Sequence, residues 1–332
     1  MYKTKERINK FDNLRGFAIF LIVLGHLPGL LSPAFDHRFI YIIHLPIFFF
    51  VSGYFSKIGP DEPLKAFKRL MIPYILFCLI WKLYYIYLVG GSGGRLFIEP
   101  EGALWFLIAL FSMKMILPII SRFRYPIFYS ILGALLIGCF NIPGNLLGIT
   151  RTFIFLPIFL IGFYYNDYKS QLSDYNEKFV NFLSQNNVKY ISMIIIVIMC
   201  IIVALNVPSR IIFLQHPYGN QFLYKMCLKF IVIILGILFT ITLNSLMTNK
   251  SCFLTKIGKN SMAVYILHPY LTKYILKPFI LQNFAPGIIF DVIVLVFTFL
   301  IVFVLSRDFV SNALNVVFDF IFNIFVGEKN RV

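Results

Sequence analysis

Phe11-Asp12-Asn13-Leu14-Arg15-Gly16 runs on through Phe17-Ala18-Ile19-Phe20-Leu21-Ile22-Val23-Leu24 to Gly25-His26. The stretch is apolar enough to enter a bilayer, yet it carries an arginine and a histidine. Eleven helical steps of about 100° bring His26 to within roughly 20° of Arg15, about 16 Å further along the axis. Asp12 falls on the same broad face. Ionisable groups aligned in this way within a membrane helix are costly, and they mark a functional site by default.

The rest of the chain has the same character. It has 332 residues, 59% hydrophobic and 13% charged, with a mean hydropathy of +0.83. A soluble domain cannot hide that much apolar surface. Apolar runs recur from end to end, the pattern of a polytopic helical membrane protein. The formal charge of +16 does not point to nucleic acid, because the basic residues are dispersed in short loops rather than gathered on one face. Five scattered cysteines (Cys78, Cys139, Cys200, Cys227 and Cys252) have neither the number nor the spacing of a disulfide framework or a zinc site.

Ten spans are expected, at about 14–31, 39–55, 70–89, 104–120, 126–140, 152–165, 190–206, 226–247, 261–281 and 287–305. The first resembles a signal peptide, but Arg15 and His26 interrupt or border it and many spans follow, so it reads as a retained span. Pro46, Pro118 and Pro157 predict breaks in three of the others. With the amino terminus inside, the inner loops hold nineteen of the 30 lysines and arginines. The outer segments hold six: Arg38, Arg95, Arg151, Arg210, Lys273 and Lys277. This split follows the positive-inside rule and predicts that both termini are cytoplasmic. The longest loop, 166–189, is too short for a separate core, so residues 1–332 read as one all-α membrane domain. That domain belongs in the plasma membrane as a multi-pass protein. Gly90-Gly91-Ser92-Gly93-Gly94 predicts an outer turn, without the Lys or strand context of a phosphate loop. From Phe309 to Val326, Ser311, Asn312, Asn315, Asp319 and Asn323 lie on one arc of about 120°, the pattern of an amphipathic interfacial helix.

Few polar residues fall at membrane depth, and each has a plain structural reading beside the functional one. His268 shares an arc of about 60° with Ser261 and Tyr265, where a histidine can simply bond a neighbouring helix. His44 precedes Pro46 and can serve a carbonyl that the proline leaves without a partner. Glu99 and Glu101 read as solvated loop acids, and Lys68-Arg69 as positive-inside decoration. Ser52-Gly53 lies further down the second span, Trp105 opens the fourth and Arg151 the sixth. The catalytic reading joins these parts. A histidine takes a proton from a hydroxyl near neutral pH, while Arg15, Lys68 and Arg69 would hold phosphate oxygens at the inner mouth. No metal motif is present: there is no His-Glu-x-x-His and no carboxylate cluster.

These stretches resemble the integral-membrane acyltransferases of the "acyltransferase 3" type, and within them the branch similar to fucose 4-O-acetylases. The likeness rests on Phe11 through His26, on His44-Leu45-Pro46-Ile47-Phe48-Phe49-Phe50-Val51-Ser52-Gly53, and on Lys68-Arg69-Leu70-Met71-Ile72-Pro73-Tyr74. It continues in order through Leu104-Trp105-Phe106-Leu107, Phe155 to Gly162, and Ser261 to His268, covering about residues 8–270. The resemblance implies transfer of an acyl group, usually acetyl from acetyl-CoA, to a hydroxyl of a sugar in a surface glycan or its precursor. It implies that His26 is the catalytic histidine, Arg15 its partner toward the donor, and Lys68 and Arg69 contacts of the CoA phosphates. Relatives often carry more arginines before the position of Leu70, a departure here. His44 is the second candidate base; Asp12, Ser52, Trp105, Arg151, Ser261, Tyr265 and His268 are supporting residues.

A transporter or flippase for a glycan or lipid would also have many spans and polar midplane residues, and a catalytically dead binding subunit would share the motifs. Transporters often show internal repeats, and the two halves of this chain show no evident similarity. The alignment of Arg15 with His26 and the ordered motifs favour the enzyme.

Overall fold

The computed structural model describes residues 8–27, 37–89, 97–100, 102–142, 146–214, 216–285 and 287–326. The expected outer turn at 90–94, Glu101, and Lys3, Lys5, Arg7, Lys329 and Arg331 lie outside this set. Every regular element within it is helical.

Seven helices are long and apolar enough to cross a membrane, consistent with a multi-pass integral membrane protein. Six of them match expected spans: α3 (Glu62–Tyr87), α4 (Gly102–Ile120), α6 (Leu146–Phe163), α7 (Asn186–Asn206), α8 (Phe222–Leu246) and α11 (Ile288–Leu305). The seventh is α12 (Asp308–Val326), which meets the criterion by length and composition, although its polar arc suggests an interfacial helix. The second and fifth expected spans are shorter apolar helices, α2 (His37–Tyr54) and α5 (Pro126–Leu136). The ninth is divided into α10 (Ser261–Leu271), a wider π turn over Thr272–Leu276, and a short helix over Lys277–Asn283.

The first span is also displaced. Helix α1 is unbroken from Asn9 to His26 and gives way to extended backbone at Leu27. It therefore starts five residues before the apolar run. Asp12 in the first turn favours the positive end of the helix dipole, and Asn13 finds partners in the fold. The prolines do not divide their helices either: Pro46, Pro118 and Pro157 each lie inside a continuous one. A missing N–H removes a single bond, and in an apolar setting no water competes for the remainder.

The chain forms two compact units, each discontinuous in sequence. The first comprises residues 1–51, 167–206 and 235–311. Its closest packing is α1 against α9 (Phe253–Lys259), where the backbones nearly touch. A Cβ on Gly16 would overlap the carbonyl of Leu254, and a Cβ on Gly258 would overlap the carbonyl of Asp12. Both glycines are there because two helices must meet without side chains between them. Elsewhere in this unit, Gly236 of α8 lies against the Pro46 ring and the Ile42 carbonyl. Asn260 fastens the start of α10 by donating to the Ser306 carbonyl at 2.7 Å and to the Asp308 carboxylate at 2.8 Å.

The second unit comprises residues 52–166, 207–234 and 312–332. Here α6 packs on α5 and α4, and Gly53 lets the end of α2 rest on the Phe159 carbonyl. On α3, Trp81 and Tyr74 are fully buried, and the Tyr74 hydroxyl donates to the Phe97 carbonyl at 2.8 Å. Phe318 and Phe322 of α12 are buried, with Phe318 edge-on to Phe77.

Candidate active site

In the first unit the sequence motif acquires three-dimensional neighbours. Continuity of α1 keeps Arg15 and His26 on one rigid element, with His26 as its last residue. Arg15 sits one turn from Asp12, its Nη1 3.5 Å from the carboxylate. The Asp12 side chain is buried and that of Arg15 is 28% exposed, so the carboxylate steadies the guanidinium base while part of the fork reaches outward.

Asn13 sets the register of this segment, and its role was not foreseen from the sequence. Its side chain is fully buried and fully used. The amide nitrogen donates to the carbonyls of Thr248 and Lys250 at 2.9 and 3.1 Å. The amide oxygen accepts from the Thr255 hydroxyl at 2.6 Å and the Cys252 thiol at 3.3 Å. The one signal available in the sequence was a primary amide at the edge of an apolar run, where a buried polar group must find partners.

At the other end of α1, two further histidines approach His26. The His268 ring meets the His26 ring edge-on, centroids 5.0 Å apart and planes at 77°. His44 lies within electrostatic reach of His26, and His268 within reach of both. His26 is exposed, whereas His44 and His268 are buried. The two buried rings are held in the same way. His44 Nδ1–H donates to the Ile40 carbonyl, and His268 Nδ1–H donates to the Val264 carbonyl at 3.0 Å. A nitrogen that donates to a carbonyl carries the proton, so each ring keeps its Nε2 as a bare lone pair. For His268 that nitrogen is buried and makes no hydrogen bond. The carbonyl that His44 serves is Ile40, not Ile42, the one Pro46 leaves without its helical N–H; the plain reading of His44 therefore does not match its contact. Tyr265 is buried with its ring 6.1 Å from that of His268; Ser261 starts the same helix, half-buried.

The remaining predicted residues belong to the second unit. Trp105 and Arg151 are brought together, the guanidinium lying 4.1 Å from the indole ring. Gly148 arranges this: its φ of +61° closes the opening turn of α6, and a Cβ there would press on the Trp105 carbonyl at 3.2 Å. Lys68 stands in a π turn over Phe67–Met71. Its ammonium pairs with Asp319 of α12 at 2.9 Å and lies over the Phe322 ring. Arg69 is exposed. Ser52 contributes its carbonyl, which accepts from the Ser56 hydroxyl at 2.7 Å, and Ser56 in turn accepts from Lys114 at 2.8 Å. Among the described residues no group of three or more His, Cys, Asp or Glu is arranged to hold a metal ion.

A family model described as an acyltransferase domain matches residues 8–307, a range that takes in every site residue expected from the sequence. None of the curated proteins and none of the solved structures compared with the chain matches it.

Proposed function

The chain belongs to the acyltransferase 3 family, and from that premise we propose that it moves an acetyl group from acetyl-CoA at the cytoplasmic face of the membrane to a hydroxyl of a surface glycan or its precursor. The sugar-directed reading follows the branch similar to fucose 4-O-acetylases. The observation that carries the chemistry is the edge contact of His26 and His268 at the end of the helix that also bears Arg15.

In this mechanism a ring nitrogen of His26 takes the proton of the acceptor hydroxyl as that oxygen attacks the carbonyl carbon of the thioester. An O–C bond forms, the C–S bond breaks, and the CoA sulfur leaves and recovers the proton from the imidazolium. The His268 ring stands edge-on to His26, with its Nε2 making no hydrogen bond in this structure; its lone pair is assigned to steady the His26 imidazolium once that cation forms. Arg15 recognises donor phosphate through charge-assisted hydrogen bonds, and Lys68 and Arg69 are each assigned the same chemistry. Because Lys68 is paired with Asp319, donor phosphate competes with that carboxylate for it. A transient acetyl on His26 is the second route to the same ester. No contact among the described residues favours a transporter over the enzyme.

The test is mass spectrometry of surface glycans from a deletion strain and its complemented partner, together with transfer of label from acetyl-CoA by the purified protein. Acetyl esters lost on deletion and regained on complementation support the proposal. An unchanged glycan profile together with no labelled ester in vitro refutes it.

A further inference from the structure

Among the described residues Lys229 is the most deeply buried lysine or arginine. It lies seven residues into α8, is 2% exposed, and is the one lysine or arginine among the largest fully buried side chains. Its ammonium has the face of the Tyr218 ring at 4.5 Å and, at the outer limit of a hydrogen bond, the His216 carbonyl at 3.5 Å. No carboxylate pairs with it among the described residues. A buried ammonium with so little compensation costs several kcal/mol, and in a membrane segment that cost points to a use.

The surroundings add positive charge. Lys225, one turn earlier, donates to the Tyr218 carbonyl at 2.6 Å, so both lysines grip the 216–218 segment. Tyr218 in turn donates from its backbone to the Gly138 carbonyl at 2.8 Å and from its hydroxyl to the Leu135 carbonyl at 2.7 Å. Gly138 permits this approach, since a Cβ there would stand 2.5 Å from the Tyr218 ring and 3.0 Å from the Lys229 ammonium. The segment so fixed presents His216 at the surface, beside the exposed Arg210. Partial burial, with Arg210, Arg151 and Lys229 around it, holds the His216 imidazolium below its usual range. Five basic side chains of one unit are thus associated here, two of them buried, and a positive field is focused where Arg210 and His216 meet solvent.

We propose that this face of the second unit is a phosphate-binding site, with Arg210 and His216 contacting the oxyanion and the buried Lys229 and Arg151 supplying the field beneath it. Converging guanidinium and ammonium groups suit a dianion better than a single carboxylate. The phosphate can belong to a phosphorylated sugar acceptor or to a lipid headgroup. The sugar-acceptor assignment rests on the acetyl-transfer reading, whereas phosphate binding itself is measured without any donor and so fails or holds separately.

The experiment is equilibrium binding of labelled inorganic phosphate to the purified full-length protein in neutral detergent. Competition is measured with hexose 1-phosphate, with glucuronate, and with nanodiscs of phosphatidylglycerol or phosphatidylcholine. Saturable binding that Lys229→Met weakens by about tenfold, the effect of losing roughly 1.4 kcal/mol of attraction, supports the site. Arg210→Gln, on the surface, should weaken it as well and serves if the buried substitution impairs folding. Stronger competition by hexose 1-phosphate assigns the site to a sugar acceptor, and competition by phosphatidylglycerol alone assigns it to lipid. No saturable binding, or equal binding by the parent and Arg210→Gln, overturns the proposal.

Discussion

The His268 ring meets the His26 ring edge-on at 5.0 Å, joining the end of α1 to the last turn of α10. One partner is exposed and the other is fully buried. That asymmetry separates two roles: a base that substrate can reach and a neighbour that substrate cannot. Replacing His26 by Ala should lower acetyl transfer about 10²–10⁴-fold, the usual worth of general-base help, with insertion and expression unchanged. His268→Phe keeps a ring but removes the lone pair, and should lower kcat on the order of 10–100-fold, the loss of one hydrogen bond to a charged group. His268→Gln restores an acceptor and should recover part of that loss, which a purely space-filling role would not predict. Rates are compared with labelled acetyl-CoA at matched protein levels; near-normal transfer by His26→Ala removes the catalytic assignment. A dead His44→Ala beside an active His26→Ala moves the base to α2.

Arg15 is tied to Asp12 and partly exposed. Arg15→Ala should raise the KM for acetyl-CoA or reduce turnover, and Arg15→Lys should also lose activity, because a point charge does not reproduce the guanidinium fork. Donor binding measured by calorimetry and turnover measured by label transfer check this. Unchanged affinity and rate in Arg15→Ala would end the donor role.

The α1–α9 crossing is predicted to be intolerant of any side chain. Gly258→Ala must push its Cβ away from the Asp12 carbonyl, costing about 1–3 kcal/mol and displacing the segment that bears Arg15. Asn13→Ala removes the acceptor of the buried Thr255 hydroxyl, for a loss of about 1–3 kcal/mol. Thermal melts in detergent should show a lowered midpoint for both variants. A parental midpoint in Gly258→Ala would mean that the two helices part freely.

The nineteen-to-six division of basic residues predicts an even number of crossings with both termini inside. In a background lacking reactive native cysteines, a cysteine placed at Gly91 should react with an impermeant maleimide from the exterior. One at Lys178 should react only after permeabilisation. Exterior labelling at Lys178 reverses the orientation. Cysteines at successive positions of α12 distinguish a crossing helix, with an unreactive middle, from an interfacial one, reactive along the arc from Ser311 to Asn323.

The amino-acid sequence by itself determined the class of the molecule: apolar runs of spanning length, separated by short basic loops, have no soluble solution. It also determined that Arg15 and His26 share a face, because helical periodicity is a local property of the backbone. The ordered motifs identified the family, which the match over residues 8–307 bears out. Helix ends were less legible. Asn9 to Asn13 lie ahead of the expected span at 14–31, yet the helix reaches back to Asn9, with Asn13 bonded to Thr248, Lys250 and Thr255, and Pro46, Pro118 and Pro157 look like breaks until their helices are seen to continue. What only the tertiary structure decided is which distant side chains meet: His268 with His26, Arg151 with Trp105, Lys68 with Asp319. Those encounters depend on how closely helices cross, and that is set by glycines at contact points such as Gly16, Gly258 and Gly148. The periodicity of one segment carries no information about the partner against which its glycine will rest.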